Sequence, residues 1–95
     1  MAGQRTPSWR DVVQRLAAAE GCWLATTRGD GRAHLVPVLG VVVDGGLHFA
    51  AGPSTVKGRN IARDPRCVVS ARHGELDVVV EGVASRVVEE AVLRQ

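Results

Sequence analysis

Three glycine-containing turns divide most of this chain into apolar runs of strand length. The turns fall at residues 28–31, 44–46 and 73–75, and each contains at least one glycine. Glycine adopts the positive backbone φ angles that tight hairpin turns require. The runs between the turns are rich in valine, a residue that favours strands. The pattern therefore predicts a mainly β fold built largely from antiparallel hairpins.

The predicted elements can be placed along the chain. Five strands are expected, at residues 22–27, 34–43, 47–51, 66–72 and 76–87, the last bent at Gly82. A first helix begins at the N-cap Ser8 and stops at Gly21 in a left-handed conformation. A second helix begins at the N-cap Ser54 and is closed by Pro65, since a residue before proline avoids helical geometry. Residues 89–95 are expected to begin a third helix, and residues 1–7 to form a flexible arm.

Composition limits the classes of protein to be considered. A chain of 95 residues forms one domain, and 45% hydrophobic residues argue against disorder. A net charge of +2, from scattered basic residues, makes nucleic acid an unexpected partner. We expect a cytoplasmic protein without a membrane segment, because no secretion signal or long apolar run occurs. Cys22 and Cys67 are expected to be small buried residues in a reducing compartment, and no clustered metal ligands are seen.

The predicted strand at residues 34–43 is apolar on both of its faces. Burial on both faces exceeds what a small domain can provide, so we expect one face to meet a second subunit. Pro37 interrupts this strand and cannot donate to a sheet ladder. Its place is either that of an ordinary edge-strand proline or an opening in the backbone that admits a ligand. The residues alone leave both interpretations open.

The second predicted helix has an unusual distribution of charge. Lys57 lies in its first turn, where the helix dipole disfavours a cation. A bound anion would reverse that effect. Free N–H groups together with the hydroxyls of Ser54 and Thr55 and the Lys57 ammonium would form a phosphate site. The alternative is a short, solvated basic helix. Three small or apolar residues are expected on its inner side, namely Gly58, Ile61 and Ala62.

The order of these elements resembles the pyridoxamine 5'-phosphate oxidase-like family, the flavin-binding split β-barrels. The resemblance is carried by residues 24–27, 30–32, 34–38, 46–49, 54–60, 64–65 and 81–82, and it covers most of the chain. It implies a single split-barrel domain, mainly β with flanking helices. The barrel has six strands in the family, and about five are expected here. The family's C-terminal helix and last strand are expected to be missing.

The resemblance also implies a homodimer in which each cofactor lies in a groove between the subunits. It implies a set of cofactor contacts, in which Asn60, one turn on from Lys57, is a lesser candidate: Val36, Pro37, Val38, Ala50, Ala51, Ser54, Thr55, Lys57 and Asn60. The phosphate would lie at Ser54, Thr55 and Lys57, and the ring along the backbone of residues 36–38 and 50–51. No catalytic side chain is expected, because the hydride chemistry belongs to the cofactor. Among the histidines, His34 lies beside the expected groove.

The cofactor expected from the resemblance is the deazaflavin coenzyme F420. True pyridoxamine phosphate oxidases carry an arginine and a lysine on the second strand, and residues 34–43 contain neither. The pattern instead is similar to the actinobacterial, F420-dependent branch, which implies hydride transfer to or from a small molecule. FMN is the alternative cofactor. A protein that holds a flavin, deazaflavin or haem without turnover, and a purely structural dimer module, are the alternative functions.

Overall fold

The fold is mainly β, as the sequence predicts. A computed structural model describes residues 8–19, 21–87 and 90–94; the arm expected at residues 1–7 lies outside them. Two helices occur within the described residues, α1 (Trp9–Ala18) and α2 (Val56–Arg63). Seven strands occur there, β1 (Cys22–Thr27), β2 (Ala33–Val38), β3 (Val41–Val43), β4 (Gly46–Ala50), β5 (Arg66–His73), β6 (Leu76–Val87) and β7 (Glu90–Arg94). They form one antiparallel sheet that curls into a half-barrel.

The two edge strands of the sheet are consecutive in the chain. The strand order is β2-β1-β5-β6-β7-β4-β3, and only Leu39 and Gly40 separate β2 from β3. The prediction of one strand over residues 34–43 is therefore wrong, because the chain changes pairing partner there, from β1 to β4. Gly40 permits this change. A Cβ at Gly40 would lie only 2.5 Å from Cδ1 of Leu47, closer than real Cβ contacts allow.

The described residues near the C-terminus form a strand, so the prediction of a helix at residues 89–95 is wrong. β7 pairs with β4 on one side and β6 on the other, and it buries Ala91, Val92 and Leu93. A helix of two turns would have only marginal stability. A central strand, in contrast, forms backbone hydrogen bonds with a neighbouring strand on each side. Gly82 lets β7 approach β6, because a Cβ there would collide with the carbonyl oxygen of Arg94. These two differences raise the strand count from about five to seven.

Helix α1 begins as predicted but ends differently. The Ser8 hydroxyl accepts a hydrogen bond from the Asp11 N–H at 3.2 Å, which is the predicted cap. The helix ends at Ala18 with an extended C-cap at Ala19, and the backbone of Gly21 is not left-handed. The Trp9 indole Nε1 donates to the Gly45 carbonyl oxygen at 3.1 Å and so ties α1 to the β3–β4 turn.

The core lies between the inner face of the curled sheet and the two helices. Its largest fully buried side chains are Phe49, Leu24, Leu93 and Val69. Cys22 and Cys67 are buried free thiols, as the sequence analysis expected. Burial raises the pKa of Cys67 from its usual value of 9.0 to about 11. Within the described residues, no helix combines the length and the hydropathy that a membrane-crossing segment needs.

Candidate functional site

The N-cap of α2 is Thr55, not Ser54 as predicted. The Thr55 hydroxyl accepts a hydrogen bond from the Gly58 N–H at 3.0 Å and donates one to the Gly52 carbonyl oxygen at 2.7 Å. A hydroxyl has a single proton to donate, so Thr55 has none left for an anion. Ser54 lies in the turn before the helix, where its hydroxyl is exposed and has no partner in the described part of the chain. Ser54 is therefore the hydroxyl donor available at this end.

Two backbone N–H groups are unpaired at the start of α2. The Thr55 hydroxyl caps the N–H group of Gly58 only. The N–H groups of Val56 and Lys57 therefore have no acceptor among the described residues. The Lys57 ammonium also has no hydrogen bond or ion pair there, and Lys57 is half-buried. Unpaired N–H groups at the positive end of the helix dipole, next to a cation, fit a phosphate group.

The loop that leads into α2 is held in place from two directions. Gly58 lies so close to it that a Cβ there would collide with the Gly52 carbonyl oxygen and lie 3.0 Å from that of Ala51. From β6, Arg86 Nη1 donates a hydrogen bond to the same Ala51 carbonyl at 3.0 Å. Arg86 is not among the site residues predicted from the sequence. No local pattern marks it, since its contact arises only where β6, β7 and β4 lie side by side.

The Asn60 side chain forms its hydrogen bonds inside the protein. Its Nδ2 donates to the Thr26 hydroxyl at 3.1 Å, and its Oδ1 accepts from Arg63 Nη2 at 3.2 Å. Asn60 is only 2% exposed, so its side chain joins α2 to β1 and does not face the solvent beside Lys57. Of the residues predicted to face inward from α2, Ile61 and Gly58 are buried and Ala62 is exposed.

The predicted ring-binding residues differ in their exposure to solvent. Val36 is half-buried, Val38 is buried and Pro37 is exposed. An open depression of about 550 Å³ lies at this part of β1 and β2 and is lined by Gly21, Cys22, Trp23, Pro37, Val38 and Leu39. Ala50 is exposed and Ala51 is buried at the end of β4. The structure thus groups Pro37 and Val38 in the depression, and Ala50, Ala51, Ser54, Thr55 and Lys57 around the start of α2.

His34 carries a polar atom that has no partner. His34 is the cross-strand neighbour of Thr26, and its Nδ1 is buried without a hydrogen bond among the described residues. It therefore lies beside the polar chain that runs from Arg63 through Asn60 to Thr26. The other histidines lie on other strands, His48 on β4 and His73 on β5. The described structure does not combine the three into one site.

An exposed apolar surface covers the outer side of β2, β1, β5 and β6. Four large side chains there are more than half exposed, Trp23 at 51%, Leu35 at 60%, Val79 at 63% and Val83 at 53%. The pairing places Pro37, Trp23, Ser70 and Val79 in one row across the four strands. We call Trp23, Leu35, Pro37, Val79 and Val83 the outer apolar face. Ser70 and Glu81 lie among these side chains on the same face, and exposed apolar residues gathered in this way mark a candidate interaction surface.

A curled antiparallel half-barrel flanked by two short helices is the architecture of a split-barrel protein. The chain belongs to the pyridoxamine 5'-phosphate oxidase family, whose model matches residues 9–95. No curated protein matches the chain in sequence. The resemblance stated from the sequence is thereby confirmed.

Solved structures similar to this chain have the same fold. The conserved hypothetical protein Rv2991 from Mycobacterium tuberculosis is 27% identical with a TM-score of 0.75, over 88% of this chain and 57% of that one. A FAD-binding protein from Mesorhizobium loti is 27% identical with a TM-score of 0.70, over 87% of this chain and 62% of that one. An F420 reductase is 16% identical with a TM-score of 0.72, over 84% and 87% of the two chains. The chain thus spans less than two thirds of the first and second of these proteins.

Proposed function

We propose that this protein is an F420-dependent oxidoreductase that transfers hydride between the deazaflavin and a small molecule. The observation that carries the proposal is the start of α2, where the Val56 and Lys57 N–H groups and the Lys57 ammonium have no partner among the described residues. Membership of an oxidoreductase family supports the proposal. So does the fold shared with an F420 reductase. FMN is the alternative cofactor.

The protein's own residues would bind and orient the cofactor. Ser54, the N–H groups of Val56 and Lys57, and the Lys57 ammonium would hold its phosphate. The backbone of β2 around Pro37, together with Ala50, would form a flat surface for its ring. The cofactor itself supplies the hydride chemistry. The absence of Arg and Lys from β2 and β3 favours a deazaflavin over FMN, by comparison with true pyridoxamine phosphate oxidases.

We further propose that two copies associate through the outer apolar face and that each groove is completed by the partner. Trp23 and Val79 lie in one row of that face and are both more than half exposed in the single chain. A two-fold dimer uses the same surface patch on both subunits. Trp23 would then lie near the centre of the interface in each subunit, where aromatic side chains contribute most to binding. The two free thiols fit a cytoplasmic location, where thiols stay reduced.

The experiment that tests the function is a titration of the purified protein with F420 and with FMN, followed by absorption and fluorescence. Binding of F420 in the micromolar range, and tighter than FMN, is the expected result. Binding of neither cofactor at tens of micromolar would contradict the proposal. A turnover assay with reduced F420 and a panel of small acceptors then tests catalysis.

A second candidate is a protein that binds a flavin, deazaflavin or haem without turnover. It is favoured by the 27% identical relative from Mesorhizobium loti, whose name states FAD binding and no reaction. Among the described residues, the titratable side chains at the start of α2 are the cations Lys57 and Arg59, and the first turn of the helix has no acidic residue. Binding without oxidation of reduced cofactor by any acceptor would favour this candidate. FAD belongs in the titration for the same reason.

A further inference from the structure

The imidazole of His34 contains the one buried side-chain polar atom that has no hydrogen bond among the described residues. That atom is Nδ1. The other ring nitrogen, Nε2, also has no partner in the described part of the chain, but it is not buried. His34 lies on β2 directly opposite Thr26 on β1, on the inner side of the sheet. Because an unpaired buried polar atom is unfavourable, the position of Nδ1 needs a physical explanation.

The hydrogen bonds beside His34 run in a fixed direction. Arg63 can only donate, so its bond of 3.2 Å to Asn60 makes the Asn60 amide oxygen the acceptor. The amide nitrogen of Asn60 then donates to the Thr26 hydroxyl oxygen at 3.1 Å. Thr26 is 3% exposed, and the proton of its hydroxyl has no acceptor among the described residues. A free hydroxyl proton therefore lies opposite an unpaired ring nitrogen.

Donation from Thr26 to His34 would satisfy both groups. Directly opposed residues on antiparallel strands have Cβ atoms about 4.5–5.5 Å apart, so rotation of the two side chains brings the hydroxyl within reach of Nδ1. A neutral imidazole that accepts at Nδ1 carries its proton on Nε2. The edge of the ring that is not buried then presents an N–H donor. The polar chain from Arg63 thus determines which nitrogen of His34 can donate to a ligand.

We propose that the Nε2–H group of His34 donates a hydrogen bond to the ring of the bound cofactor, and that Thr26 and Asn60 are positioning residues for it. The inference rests on the proposed function, in which the ring lies along the backbone of β2. His34 and Val36 lie on the same side of β2, two residues or roughly 7 Å apart. The acceptor would be a carbonyl oxygen or an unprotonated nitrogen of the pyrimidinedione edge, which flavins and deazaflavins share.

The test separates binding of the ring from binding of the phosphate. Dissociation constants are measured for F420 and its phosphate-free deazaflavin core, and for FMN and riboflavin as a second pair. His34→Ala should weaken both members of a pair by about threefold to tenfold, the loss of one hydrogen bond. Lys57→Ala should weaken only the member that carries a phosphate. His73→Ala removes an exposed histidine at the end of β5 and is the control.

Further substitutions identify the nitrogen and test the positioning residues. Glutamine places an amide near the position of Nε2 and asparagine near that of Nδ1, so His34→Gln should retain more affinity than His34→Asn. Thr26→Val should weaken ring binding although Thr26 is buried, and Thr26→Ser should retain it. An independent readout is 15N NMR of the ligand-free protein, which distinguishes protonated from unprotonated ring nitrogens. We expect His34 to be protonated on Nε2 in the wild type, with a detectable Nδ1-protonated fraction in Thr26→Val.

Three results would overturn the inference. The first is ring binding by the wild type that His34→Ala leaves unchanged, which keeps the proposed function and removes the role of His34. The second is higher affinity in His34→Asn than in His34→Gln, which would assign the contact to Nδ1. The third is an Nδ1-protonated His34 in the ligand-free wild type, which would reverse the direction of the hydrogen bond from Thr26. Failure of the wild type to bind any of the four ligands would remove the proposed function and the ring contact together.

Discussion

The Asn60 side chain on α2 donates a hydrogen bond to the Thr26 hydroxyl on β1 at 3.1 Å, and both residues are almost fully buried. This contact fixes the helix across the end of the half-barrel and so determines where the free N–H groups of its first turn point. It also explains why Asn60 cannot serve as a surface ligand of the cofactor. The geometry of the candidate site thus depends on a polar contact inside the protein.

Removal of that contact is expected to destabilise the fold. Asn60→Ala leaves the buried Thr26 hydroxyl without its donor, which costs about 1–3 kcal/mol of unfolding free energy. Urea denaturation of Asn60→Ala, Thr26→Val and the double variant measures the loss. The double variant should cost less than the sum of the single ones, because the two residues share one interaction. Additive losses would show that the pair is not coupled.

Gly58 is expected to be intolerant of a side chain. Gly58→Ala places a Cβ against the Gly52 carbonyl oxygen, and overpacking of this kind costs about 1–3 kcal/mol or more. Gly21→Ala is the matched control, because a Cβ there has no atom within 4 Å and its φ is not positive. Thermal unfolding should show a lower midpoint for Gly58→Ala and little change for Gly21→Ala. Equal midpoints would contradict the described loop geometry.

Stability should fall at alkaline pH because of Cys67. Burial raises its pKa from 9.0 to about 11, so the unfolded chain releases the thiol proton at a lower pH than the folded protein does. The contribution is complete below about pH 9 and is lost as the pH rises towards 11. Burial raises the pKa of Cys22 in the same direction. Urea midpoints between pH 7 and 11 should fall less for Cys67→Ala than for the wild type. Parallel curves for the two proteins would contradict the prediction.

A charge in the outer apolar face should dissociate the proposed dimer. Trp23→Arg introduces a cation at the centre of the row that contains Pro37 and Val79. Burying an unpaired charge in an interface is strongly unfavourable, so sedimentation should report a monomer. Arg10→Glu is a control that changes an exposed charge on α1, away from this face of the sheet. A wild type that is monomeric at tens of micromolar would contradict the dimer proposal itself.

Local sequence rules predicted much of the fold. The turns at Gly31, Gly45 and Gly74 all have positive φ angles, as glycine in a hairpin turn allows. The cap at Ser8 also follows from residue type and spacing. The strand predicted over residues 66–72 is β5, in which the alternate residues Cys67, Val69 and Ala71 are buried. These features depend on short-range geometry, which a sequence carries directly.

The remaining features depend on contacts between distant residues. The separation of β2 from β3 at Gly40 follows from a close approach to Leu47 in a different strand. β7 is a strand because β4 and β6 lie on both of its sides, which the sequence of residues 90–94 does not reveal. In the candidate site, Lys57 and Ser54 could be selected from type and position. The interior role of Asn60 could not, because it requires Thr26, a residue 34 positions away.

The most direct test of the account is the effect of Lys57→Ala on cofactor binding. Lys57→Arg keeps the charge, and Arg10→Ala removes an exposed charge from α1 as a control. If a phosphate binds at the start of α2, Lys57→Ala should weaken F420 binding by about tenfold or more, the loss of one charge-assisted hydrogen bond. Lys57→Arg should retain most of the affinity. An unchanged dissociation constant in Lys57→Ala, measured beside a wild type that binds F420, would contradict the assignment of the anion site.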